Sequence, residues 1–271
     1  RNPTSYLAVL DGLRGLAVLL VLLSHMSLFG YHLVPQANFA GVGKAGVYLF
    51  FVLSAWLLSY RALQVRASRG WSLGYWAGYA VRRCFRILPL YSLVLIFCVL
   101  VTIAQWPVWV VEMSPGLALE HLLMLEGELI FWALPVEFHF YMLLPLLLWA
   151  GHSLLQRCRV GFVLLWLLLT ALPLLWPWGG AYEKNTTLLW AYWPVFMLGM
   201  GLALVHSPGT TNQQTDRPGR RYQHTLSWLG VGLLVLVLIT TPALSNRLLD
   251  LAGLSLRLPR DYFHAWVLPY G

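Results

Sequence analysis

The sequence predicts an all-α fold, a polytopic transmembrane bundle of at least seven to eight spans with its N-terminus on the cytoplasmic side. Three observations predict it. The chain of 271 residues is 59% hydrophobic and only 10% charged, where a soluble domain carries about 25% charged residues. Apolar stretches long enough to cross a bilayer as helices recur along its length. The basic residues gather in alternate connections, the pattern that sets membrane orientation. The net charge of +8 therefore reflects topology and does not indicate nucleic acid as a partner.

The first span, 7–29, reads LAVLDGLRGLAVLLVLLSHMSLF. Asp11, Arg14 and His25 interrupt it. Charge in a hydrocarbon-length helix is costly and marks function. Arg14 and His25 stand eleven residues apart, close to three helical turns, so they share a face roughly 16 Å apart along the axis. Asp11 precedes Arg14 by three residues and can pair with it. The ordinary alternative is an Asp11–Arg14 pair at the interface and a histidine in a packed contact.

The second span, about 44–63, has small residues that permit close helix packing, Gly43, Ala45, Gly46, Ser54 and Ala55. The 61–86 connection is read as a basic loop. It ends in RRCFRILPLY, where Arg82, Arg83 and Arg86 cluster and Pro89 marks the boundary with a third span of about 88–106. Arg83 and Arg86, three apart, point the same way on a helical turn. Guanidinium groups suit phosphate oxygens, although arginines beside a span are also ordinary topology markers and contacts for anionic lipid. The 107–128 segment, broken at Met113-Ser114-Pro115-Gly116, is expected to be an outer loop with a short interfacial helix.

The fourth span, about 129–150, carries one acid, Glu137, followed by His139 and Tyr141. Glu137 and Tyr141 share a helix face and His139 does not. Core packing is the ordinary role of Tyr141, and a structural hydrogen bond that of Glu137. By depth, Glu137 and His25 fall in the same half of the membrane and are candidates for a pair. A fifth span is predicted at about 160–178, a sixth at 188–206 and a seventh at 226–244. A further apolar stretch starts at Tyr262 and meets the end at Gly271. The chain is therefore expected to be a single domain, 1–271, truncated at its C-terminus. Cys84, Cys98 and Cys158 are too few and too apolar in setting for a disulfide framework. No zinc spacing is seen, and a cleavable signal peptide is not expected, since the first span is too long and carries Asp11 and Arg14.

Four stretches, LDGLRGLAVLLVLLSH, GVYLFFVLSAWLL, RRCFRILPLY and WALPVEFHFYMLLP, occur in this order. Together they resemble the acyltransferase 3 family, bacterial membrane proteins that acylate cell-surface glycans and related acceptors. The resemblance covers about residues 5–150 and continues as hydropathy. It implies that His25 is catalytic and matches Arg14 and Glu137 to charged positions of the family's motifs. It also implies that Arg83 and Arg86 contribute to the donor site; Arg82 adjoins them as a further donor-binding charge, and Asp11 and Tyr141 are read from their spacing as supporting residues. The donor it implies is cytoplasmic acyl-CoA, commonly acetyl-CoA, used as a substrate, with no permanently bound cofactor and no metal. The implied acceptor is a hydroxyl of an extracytoplasmic glycan or lipid-linked saccharide, at the bacterial inner membrane and among its lipids. Ala133 and Pro135 stand where the family often has serines, Ala55 stands where a glycine is usual, and about ten spans are usual. A transporter using buried Asp, Arg, His and Glu as a proton or substrate path is the competing class; a lipid-binding membrane protein is a third.

Overall fold

A computed structural model describes residues 3–31, 39, 41–106, 111–127, 130–175 and 187–205. Among these the regular structure is helical throughout. The elements are α1 (Pro3–Leu28), α2 (Gly43–Arg69), α3 (Leu73–Ala104), α4 (Pro115–Leu122), α5 (Ala133–Arg157), α6 (Arg159–Leu175) and α7 (Leu189–Val205). Four of them, α1, α2, α3 and α5, are long and apolar enough to cross a membrane. α6 and α7 match the fifth and sixth predicted spans in place, and each is helical up to the last described residue of its segment. The seventh span and the stretch from Tyr262 lie outside the described residues.

The described residues fall into two compact units. One holds α1, α2 as far as Leu58 and α7 from Met197; the other runs from Ser59 to Phe196. In the first unit, small residues set the helix spacing. A Cβ on Gly46 would stand 2.6 Å from the carbonyl oxygen of Ala17, and one on Gly43 would stand 2.9 Å from Ser24 Cβ. Gly199 of α7 likewise rests on the α2 backbone at Val52, with Ala55 Cβ beside it. Without a hydrophobic drive between helices in lipid, such close backbone approach is what dispersion rewards.

In the second unit, α3 shows how a membrane helix is sorted. Ile87, Tyr91, Leu95, Cys98 and Val101 form its buried stripe. Leu90, Leu93, Ile96, Phe97, Leu100 and Ile103 are exposed. A helix apolar on every side, with its large aliphatic residues outermost, is matched to hydrocarbon and not to water. On α5, Val136, Phe140, Leu144 and Leu148 are fully buried at intervals of four. Phe140 stacks on Phe196 of α7 at 4.3 Å.

The basic connection differs from the loop expected over 61–86. α2 continues to Arg69 and α3 begins at Leu73, so the six arginines of this stretch are all helical. Gly70, at φ +75°, provides the left-handed turn that ends α2. Ser72 caps α3, its Oγ accepting from the Tyr75 N–H at 3.1 Å. Polar helical ends extending past the apolar window keep their backbone bonds satisfied and carry charge outward. Pro89 lies inside α3 and does not bound it. Proline is tolerated in apolar helices because neighbouring groups satisfy the freed carbonyls. The 151–159 connection is also helical to Arg157, with Cys158 alone between α5 and α6. The outer segment carries α4, capped by Ser114 with Pro115 in its first turn.

Candidate active site

α1 presents the first group of site residues. Arg14 Nη1 and Asp11 Oδ1 are 3.5 Å apart, with the Asp11 side chain 69% exposed. That distance is long for a charge-assisted bond, and an exposed pair of this kind holds little energy. Arg14 is half-buried and retains donors beyond the one aimed at Asp11.

His25 is half-buried one turn before the end of the same helix. Its Nδ1 lies 2.7 Å from the carbonyl oxygen of Val21. A carbonyl only accepts, so Nδ1 carries the proton and the neutral ring keeps its lone pair on Nε2. The backbone of α1 itself therefore orients this imidazole. The turn is fixed from both sides. Gly41 N–H donates to Ser24 Oγ and Phe39 N–H donates to Ser27 Oγ, each at 3.1 Å. Both serines are buried.

The second unit holds the other predicted residues. Tyr141, 3% exposed, donates its hydroxyl to Glu137 Oε1, one turn back on α5. Tyr79 of α3 donates its hydroxyl to the backbone oxygen of Tyr141 at 3.3 Å. The Arg83 guanidinium lies over both rings, 5.8 Å from the Tyr79 centroid and 5.4 Å from that of Tyr141. Arg83 Nε is buried with no acceptor among the described residues. Arg82 and Arg86 are exposed; Arg82 folds back over Gly78, its Nη1 3.1 Å from where a Cβ on that glycine would stand. The structure thus brings Arg83, Tyr141 and Glu137 together and sends Arg82 and Arg86 outward, although Arg83 and Arg86 are three residues apart. His25, Arg14 and Asp11 belong to the first unit.

Sequence reasoning passed over Tyr79, whose signal is its position four residues before Arg83 on one helix. It also passed over His121, fully buried on α4, which bonds Tyr91 Oη through Nδ1 at 2.9 Å and meets the Phe131 ring edge-on. Nothing in the spacing of residues on different elements signals that contact. The three cysteines are free. Among the described residues no three His, Cys, Asp or Glu side chains gather to hold a metal ion.

Long apolar helices packed through glycines, with arginine, histidine and glutamate on their half-buried faces, define an integral membrane protein of catalytic or transport type. The acyltransferase 3 family model, described as an acyltransferase domain, matches residues 7–268 of the 271. The chain belongs to this family and is a membrane acyltransferase. No match to the chain was found among curated proteins or among solved structures.

Proposed function

We propose that the protein is an O-acyltransferase that moves an acyl group, acetyl in the first instance, from cytoplasmic acyl-CoA to a hydroxyl of an extracytoplasmic glycan or lipid-linked saccharide. The observation that carries this reading is His25, whose Nδ1–H is spent on the Val21 carbonyl, leaving Nε2 as a base. His25 Nε2 takes the proton of the acceptor hydroxyl as its oxygen attacks the thioester carbonyl. Arg14 stabilises the negative charge that develops on the carbonyl oxygen. The tetrahedral intermediate collapses, the C–S bond breaks, and the leaving CoA thiolate takes the proton back from the imidazolium. The products are an ester and free CoA.

Arg82, Arg83 and Arg86 form the donor-binding group, their guanidinium groups matched to the phosphates of CoA. Glu137 supplies the carboxylate of the site, held by Tyr141. The N-terminus is cytoplasmic in this reading, which the basic connections favour, and the setting is a bacterial inner membrane whose envelope polysaccharide is modified. The test is transfer of label from acetyl-CoA to candidate saccharides by purified protein. Labelled ester is the expected product. Absence of both transfer and hydrolysis, with binding of a solute that is moved across vesicles, would favour a transporter.

A further inference from the structure

The Arg83 guanidinium is enclosed on two sides. Tyr79, four residues earlier on α3, places its ring 5.8 Å away, and Tyr141 of α5 places its ring 5.4 Å away. Both tyrosines are buried, at 5% and 3% exposure. The Tyr79 hydroxyl donates to the Tyr141 backbone oxygen, fastening α3 to α5 at the residue whose own hydroxyl holds Glu137. Two ring faces attract a cation and restrict its rotamers, and an arginine so held presents its fork preformed. Its buried Nε–H has no acceptor among the described residues. Arg82 and Arg86 lack this enclosure.

We infer that Tyr79 is a positioning residue of the donor site, its ring and that of Tyr141 clamping the Arg83 guanidinium so that it meets a phosphate oxygen of acyl-CoA. This rests on the reading of Arg83 as a donor-binding residue. Tyr79 touches no reacting atom; it acts through Arg83. The clamp gives the inner arginine a fixed geometry, while the two exposed arginines act as mobile charges.

The test compares binding of CoA with binding of S-acetylpantetheine, which lacks the phosphates, to full-length protein in detergent. Tyr79→Leu is expected to weaken CoA about tenfold and to leave S-acetylpantetheine unchanged. Tyr79→Phe keeps the ring and is expected to stay within about threefold of wild type for both ligands. In an Arg83→Gln background, Tyr79→Leu is expected to add no further loss for CoA. Full CoA affinity in Tyr79→Leu, or an equal loss of both ligands, would overturn the inference. If Tyr79→Leu does not fold, a Tyr79→Phe protein that loses CoA as fully as Arg83→Gln does would overturn it. Wild-type protein that binds no CoA would overturn the donor reading itself, and that outcome is distinct from the others.

Discussion

His25 donates its Nδ1–H to the carbonyl oxygen of Val21, 2.7 Å away and one turn earlier on α1. The bond lies wholly within one helix, so no contact with another helix is needed to make it. It selects the tautomer with the lone pair on Nε2. In selectively nitrogen-15-labelled histidine protein, neutral His25 should give the Nδ1–H pattern, and Glu137→Gln should leave it in place. An Nε2–H pattern in either protein would remove the base from the proposed scheme.

Tyr141 does two jobs with two parts of its side chain, the ring over Arg83 and the hydroxyl on Glu137. Tyr141→Phe separates them. A hydrogen bond to a charged group is worth about 1.5–3 kcal/mol, so kcat should fall roughly 10-fold to 100-fold while the KM for acyl-CoA stays within about twofold. A change confined to KM would place the hydroxyl in donor binding instead.

The three arginines of the donor group should separate by salt dependence. Arg82 and Arg86 are exposed, and exposed charge contacts hold about 0.2–1 kcal/mol, so Arg82→Gln and Arg86→Gln should each weaken CoA by up to about fivefold at low salt. That difference should fade at high ionic strength. Arg83→Gln should cost about tenfold or more and persist in salt, because its environment is enclosed. Equal, salt-sensitive losses at all three positions would make Arg83 an ordinary surface charge.

Helix spacing in the first unit depends on absent side chains. A methyl at Gly46 would meet the Ala17 carbonyl oxygen, a backbone atom that cannot turn aside. Gly46→Ala should therefore lower stability by about 1–3 kcal/mol, read as a reduced thermal midpoint in detergent. At Gly12 a Cβ would meet nothing within 4 Å, and Gly12→Ala should be neutral or slightly stabilising, by up to about 1 kcal/mol. A reversed order of the two variants would contradict the α1–α2 packing described.

Much of this was legible in the residues. Apolar length gave α1, α2, α3 and α5, and the turn formers at Ser114-Pro115 marked α4. The helical arginines of 61–86 were not legible, because Arg is both a good helix former and a loop residue. Only the cap at Ser72 and the turn at Gly70 distinguish two long helices from one loop. The bond between Tyr141 and Glu137 follows from a spacing of four, since both lie on one helix. The Tyr79–Tyr141 contact joins α3 to α5, and no periodicity within one element reports on another. The carbonyl partner of His25 was hidden for a different reason: every helical residue has such a carbonyl behind it, and side-chain rotamer decides whether it is used.

The most direct measurement is transfer of labelled acetyl groups from acetyl-CoA to a saccharide acceptor by purified wild-type and His25→Gln proteins, each first shown to bind CoA. The account predicts labelled ester with wild type and a loss of about 100-fold or more in His25→Gln, with CoA affinity unchanged. Equal transfer rates in the two proteins would contradict it.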